Sequence, residues 1–191
     1  MPAPAMRSLE PEERRWLLSL ARRSIGARLV GRGLPEEAPA DGPLTVDRGA
    51  FVTLTDGGRL RGCIGHVFAT EPLWRSVRSN AVNAAFHDPR FPPVTEEKLP
   101  SLTIEISALS PLWEVASPDE ILVGRDGLAI ELGTHRGLLL PQVAGRYGWT
   151  AEEFLDQTCR KAGLGPGDWR DPSARIGAFS AEVFSEAELE P

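Results

Sequence analysis

The chain predicts a mixed fold of helices and β-hairpins, and three observations carry that expectation. An amphipathic segment opens the chain. Two strand–turn–strand segments follow at separate places. The stretch after each of them has helical rather than strand periodicity. The 191 residues, 41% hydrophobic and 25% charged, suit one domain or two closely joined lobes with a real core.

Leu9 to Val30 reads as the first helix. Pro11 stands at the first helical position, Glu12 and Glu13 suit the first turn, and Trp16, Leu17, Leu20, Ala21, Ile25 and Leu29 form an apolar stripe. "GRGLPEEAPADGP", Gly31 to Pro43, is a loop by composition. Phe51 to Thr55 is β-branched and reads as a strand. Asp56-Gly57-Gly58 is a hairpin turn, because glycine accepts positive φ, and Arg59 to Val67 is the return strand. Thr70 to Phe86 reads as a second helix, with Thr70 as N-cap, Pro72 in the first turn, and Trp74, Val77, Ala81, Ala84 and Ala85 buried. The three prolines of "HDPRFPPV" end it in an ordered loop. Thr103 to Leu109 is a strand, with Ile104, Ile106 and Ala108 on one face and Thr103, Glu105 and Ser107 on the other.

The second half repeats this theme. "GRDG" turns at Gly124 to Gly127, and strands Leu128 to Leu132 and Leu138 to Val143 flank the turn "GTHRG". Thr150 and Glu153 form a capping box that opens a helix to Ala162, closed by Gly163, and a last strand covers Ile176 to Phe184. A shift of 78 positions lays Gly49–Ile64 over Gly127–Gln142, strand on strand. This reads as a faint internal duplication, structural in its second copy and bearing Arg61, Gly62 and Cys63 in its first.

Bulk properties narrow the function classes. The formal charge of -6 and pI near 5.2 do not support nucleic-acid binding. No apolar run reaches the roughly 18–20 residues that a membrane span needs. The first residues lack the apolar core of a secretory signal. Two cysteines do not make a disulfide framework, so a cytoplasmic protein with reduced thiols is expected.

Chemistry concentrates in "GGRLRGCIGHV", Gly57 to Val67. Strand alternation places Leu60, Gly62, Ile64 and His66 on a core-side face, and Arg61, Cys63 and Gly65 on the other. Arg61 and Cys63 then share a face roughly 7 Å apart, where a guanidinium would favour the reactive thiolate. Gly62 and Gly65 leave backbone N–H groups approachable, as an anion pocket or a covalent site requires. The competing reading makes Cys63 a small buried hydrophobe. Glu105 would face Arg61, as ion pair or general base, if its strand neighbours that of Cys63. Asp88 and Arg90 read either as an anion-binding pair or as a turn cap with its ion-pair partner. Ser76, Asn80, Asn83 and His87 recur at helical spacing, as a solvated face or a ligand-contacting stripe, and His87 is the best-placed histidine. His135 falls in a predicted turn, in solvent, and Cys159 in the core. No metal site is expected, because structural zinc wants four Cys or His ligands and Cys63 and His66 face apart. No cofactor is expected either: Walker, GxGxxG, HExxH and GxSxG patterns are absent. Two cysteines are also too few for the three that ligate a radical S-adenosylmethionine cluster.

Three ordered blocks resemble the AMMECR domain family: "LRGCIG" (Leu60–Gly65), "DPRFPPVTEEKLPSLTIEISALSP" (Asp88–Pro111) and "GLLLPQVAGRYGWTAEEFLDQTCRKAGL" (Gly137–Leu164). The resemblance implies an α+β fold: a mainly antiparallel sheet with flanking helices, a duplicated strand–turn–strand motif, and a larger and a smaller lobe. It implies a single two-lobed domain over residues 9–188, between a disordered N-terminus, 1–8, and a tail, 189–191. Prokaryotic members resemble protein A of the AmmeMemoRadiSam system, which implies a Memo-type protein and a radical S-adenosylmethionine enzyme as partners. Two functional readings stay open. In one, a cleft beside LRGCIG binds a ligand or partner, with Arg61, Gly62, Gly65, Asn83, His87, Asp88 and Arg90 as contacts. In the other, the protein is an enzyme, with Cys63 as nucleophile or redox thiol beside Glu105, acting in nucleic-acid modification.

Overall fold

The computed structural model describes residues 7–189. Residues 1–6 of the expected disordered N-terminus and residues 190–191 of the expected tail lie outside the described residues. The chain divides into two units: residues 7–109 with 182–189, and residues 110–181. The fold is α+β, and every strand pairing within a unit is antiparallel.

In the first unit, α1 (Pro11–Leu29) begins with Pro11 at its first position, behind a reciprocal capping box of Glu10 and Glu13. It buries Leu17, Leu18, Leu20, Ala21, Ser24 and Ile25. Each buried Leu or Ile contributes about 1.5–3 kcal/mol. Ser24 is tolerated among them because its Oγ donates to the Leu20 carbonyl at 2.7 Å. The sheet of this unit runs β2 (Arg59–His66), β1 (Ala50–Asp56), β3 (Leu102–Leu109), with β1 central. Val52 and Leu54 of β1 join Ile104 and Ile106 of β3, all fully buried, against α1 and α2 (Leu73–Phe86). Thr53, Thr55, Thr103 and Glu105 stand on the opposite face, half-buried. Gly57 and Gly58, at φ +56° and +76°, make the two-residue turn whose twist suits a tight hairpin.

The hairpin carries one irregularity with large consequences. Leu54 pairs with Gly62 but Thr55 pairs with Leu60, so Arg61 has no partner and forms a bulge. The extra residue breaks strand parity. Gly62 and Ile64 face the core as expected, whereas Leu60 is turned to the other face and is 44% exposed.

α2 starts at Leu73, three residues after the predicted start, and Thr70 does not cap it. The preceding residues are held extended by the loop before β1. Arg48 N–H donates to the Glu71 carbonyl at 3.2 Å and Leu73 N–H to the Val46 carbonyl at 3.0 Å. The five predicted core residues of α2 are all buried. Ser76 and Asn80 are buried as well, which corrects the solvated-face reading of that stripe for these two.

In the second unit, β4 (Trp113–Glu114) pairs with β7 (Arg175–Ser185), β7 with β5 (Asp126–Leu132), and β5 with β6 (His135–Leu139). The predicted strand to Val143 stops at Leu139. Gly133, at φ +59°, allows a shorter turn than "GTHRG", and Pro141 opens a seven-residue helix, α3 (Pro141–Tyr147). His135 therefore lies on β6 rather than in the turn, exposed, with its ring Nδ1 3.2 Å from the Ala162 carbonyl. α4 (Ala151–Lys161) has the predicted capping box of Thr150 and Glu153. Cys159 is fully buried beneath it, with Ile130 and Ala162. The last four residues of β7 and α5 (Glu186–Leu189) belong to the first unit.

The two units repeat one arrangement, a hairpin with a helix packed on it. Ala50–Asp56 maps onto Asp126–Leu132 at a shift of 76, which corrects the predicted 78. Core residues Val52 and Leu54 then fall on Leu128 and Ile130. Leu54 pairs with Gly62 and Ile130 with Gly137, and each glycine lies under its helix. A methyl at Gly62 would overlap the Ala84 carbonyl of α2, and one at Gly137 would overlap Ala162 at the end of α4. The bulge residue Arg61 has no counterpart in the second hairpin.

Candidate functional site

β2 is the last strand on its side of the sheet, and the loop after α2 closes its open edge. Asp88 and Arg90 do this with side chains. Cys63 N–H donates to Asp88 Oδ2 at 2.9 Å, and Arg90 Nη2 donates to the Cys63 carbonyl at 3.2 Å. The two side chains also join each other, Arg90 Nε to Asp88 Oδ1 at 2.9 Å and Arg90 Nη2 to Oδ2 at 2.7 Å. Together they do for Cys63 what a neighbouring strand would do. The Asp88 carboxylate is almost fully buried. The Arg90 guanidinium, and after it the N–H groups of Cys63 and Arg90, hold it well below the usual carboxylate range. The Arg90 guanidinium is held charged in return, chiefly by Asp88, with a smaller effect from Cys63.

Arg61 reaches the same loop. Its Nη2 donates to the Pro92 carbonyl at 2.6 Å and to the Pro93 carbonyl at 3.3 Å. Its guanidinium lies 5.9 Å from the Phe91 ring centroid, and that of Arg90 lies 5.5 Å from it. Arg61 Nη1 is shielded from solvent and has no acceptor. Two arginines thus grip one aromatic ring beside the cysteine.

Cys63 is half-buried, a free thiol, and takes a hydrogen bond from Thr53 Oγ1 at 3.3 Å. Thr53 pairs with Cys63 on one side and with Glu105 on the other. Cys63, Thr53 and Glu105 therefore form one row across the half-buried face. β1 lies between the strands of Cys63 and Glu105, so the condition for Glu105 to face Arg61, that the two strands adjoin, is not met. Two strand spacings put their backbones roughly 10 Å apart. Burial, and secondarily the charge of Glu188, push the Glu105 carboxyl above its ordinary value.

The glycines have packing reasons. Gly62 is buried under α2. A methyl at Gly65 would overlap the Ala50 carbonyl and the Phe51 ring folded across it. His66 faces away from Cys63. Its Nε2 is 3.2 Å from Ser76 Oγ and its Nδ1 3.2 Å from Asn80 Nδ2, and Asn80 Nδ2 also donates to the Ala50 carbonyl at 3.2 Å. An amide nitrogen bonded to a carbonyl can only donate, so Nδ1 accepts and the ring proton sits on Nε2. Asn83 and His87 bond to each other at 3.0 Å at the end of α2, with His87 exposed. The structure thus brings Arg61, Cys63, Asp88 and Arg90 together, leaves Glu105 two strands away, and turns Gly62 inward. Sequence reasoning missed Thr53 and Phe91. The β-branched run of β1 and the "DPRF" block contained them, but the pairing that makes them neighbours is long-range.

Among the described residues no group of three or more His, Cys, Asp and Glu could hold a metal ion. No helix among them is long and apolar enough to cross a membrane. A groove of about 560 Å³ in the first unit, lined by Arg15, Ser19, Arg22, Thr103 and Glu186 among others, includes none of the predicted site residues.

Fold and site define an α+β protein with a repeated hairpin-and-helix arrangement, in which one hairpin edge carries a clamped cysteine. The chain belongs to the AMMECR1 family, whose model matches residues 18–184. It is 46% identical over 187 residues to a protein of Methanothermobacter thermautotrophicus, covering 93% of this chain and 96% of that one. It is 43% identical over 194 residues to protein TK0174 of Thermococcus kodakarensis, covering 95% and 94%. The crystal structure of the uncharacterised protein PH0010 from Pyrococcus horikoshii matches with a TM-score of 0.82 and 41% identity over 90% of both chains.

Proposed function

We propose that the half-buried face carrying Cys63, Thr53 and Glu105 is a binding face, which takes a ligand while the protein acts with a Memo-type protein and a radical S-adenosylmethionine enzyme. One observation carries the binding part. Asp88, Arg90 and Arg61 fix the β2 backbone, yet Cys63 stays only half-buried, with Thr53 as its hydrogen-bond neighbour. A rigid, partly open surface is what preorganised recognition needs. The partners rest on the family resemblance. A cytoplasmic setting is part of this reading, and both cysteines being free thiols agrees with it. Asn83 and His87, at the end of α2, would extend the contact surface.

A second reading makes Cys63 the nucleophile or redox thiol of an enzyme, in nucleic-acid modification. It is favoured by the Arg90 guanidinium, whose Nη2 donates to the Cys63 carbonyl at 3.2 Å and so brings a cation next to the cysteine. Labelling of the native protein with iodoacetamide, followed by peptide mapping, tests both. Cys63 should label under native conditions while Cys159 stays protected. A Cys63 rate far above that of free cysteine at the same pH favours the enzyme, and an ordinary rate favours binding. Labelling of Cys63 only after denaturation would sink both readings. For the partners, co-purification with the Memo-type protein and the radical enzyme is expected, and failure of both to associate would refute that part.

A further inference from the structure

We infer that the ligand of the Cys63 face is an anion, a carboxylate or a phosphate ester, and that Arg61 is the residue that selects it. This inference rests on the binding reading above and adds the chemical class. Three independent observations support it.

The first is the bulge. Arg61 is the one residue by which this hairpin exceeds its counterpart in the second unit, and bulges re-aim side chains at strand edges. The second is charge balance. The Arg90 cation is matched by the Asp88 carboxylate, and the nearby Asp56 carboxylate is held by Lys98 Nζ at 2.9 Å. The bonds of Arg61 go instead to the neutral carbonyls of Pro92 and Pro93, and Arg61 acts on Asp56 only behind Lys98 and Ser101. The third is the orphaned donor. Arg61 Nη1 is removed from solvent without an acceptor, so the charge of Arg61 is not fully compensated within the protein. An oxyanion would match that charge. The two guanidiniums meet at the Phe91 ring, and Arg90 also bonds the Cys63 carbonyl, so the cations gather beside the backbone of Cys63.

The thiol itself reports on the anion preference. Iodoacetate and iodoacetamide alkylate a thiolate by the same displacement: the sulfur electron pair forms the S–C bond and iodide leaves. They differ in that iodoacetate is an anion. The ratio of their second-order rates at Cys63, read by mass spectrometry of the mapped peptide, should exceed the ratio for the same cysteine in the urea-unfolded protein by about threefold or more. The excess should shrink in 0.5 M salt. Arg61→Gln should bring the ratio down to the unfolded value, and Arg61→Lys, which keeps the charge, should retain most of it. Circular dichroism checks that both variants are folded. A native ratio equal to the unfolded one, or one unchanged in Arg61→Gln, overturns the anion assignment while the binding reading stands. Failure of Cys63 to react with either reagent overturns the binding reading itself.

Discussion

At the scale of single residues, Asp88 does the most. It accepts bonds from two backbone N–H groups and from a guanidinium while almost fully buried. Replacing it by Asn should cost about 1.5–3 kcal/mol at neutral pH, measured by urea denaturation. The sign of the pH dependence follows from the lowered pKa. The native carboxylate holds its proton less tightly than the unfolded one, so its stabilisation is complete above the unfolded value near 3.9 and is lost as pH falls below it. The gap between wild type and Asp88→Asn should therefore stay constant from pH 7 to about pH 5 and narrow below pH 4. A gap that narrows at neutral pH would contradict this assignment. Sequence could name Asp88 and Arg90 as a pair. It could not show that their common target is the backbone of Cys63, because that contact joins residues 25 apart across the whole of α2.

At the scale of elements, the decisive contact is helix on hairpin. Gly62→Ala would drive a methyl into the Ala84 carbonyl, a backbone group that moves only with all of α2. A loss of about 2–3 kcal/mol in thermal or urea unfolding is expected. Gly33→Ala, in open space in the loop after α1, should change stability little. An equal effect of the two would remove the packing explanation. Most elements were legible in the sequence. α1, the glycine turn, the buried face of α2 and the cap of α4 all follow from local periodicity and capping chemistry. What failed was non-local. Leu60 was assigned to the core because alternation was extended across a bulge that no residue type announces. α2 started late because its first residues are tied to a loop some 25 positions earlier. α3 and β4 are too short to show a period.

At the scale of the whole chain, Arg48 ties distant segments of the first unit together. It is buried, donates from Nε to the Leu109 carbonyl at 2.8 Å and from Nη2 to the Ala108 carbonyl at 3.2 Å, and pairs with Glu182 at 3.1 Å. Burial lowers its hold on the proton, and Glu182 opposes that loss. Arg48→Met should destabilise by about 3 kcal/mol, the low end for a broken buried pair, because Glu182 keeps Arg14 and the Leu9 N–H. A urea midpoint within error of wild type would show that this arginine is dispensable. The bulge also has a bearing on descent. From the last turn residue to the glycine under the helix, the first hairpin runs Gly58 to Gly62 and the second Thr134 to Gly137, shorter by one. No series of point substitutions converts one into the other. If the two arose from a common ancestor, Arg61 was gained or lost in a single insertion or deletion, and a relative lacking the anion site would be recognised by the length of this segment before its letters.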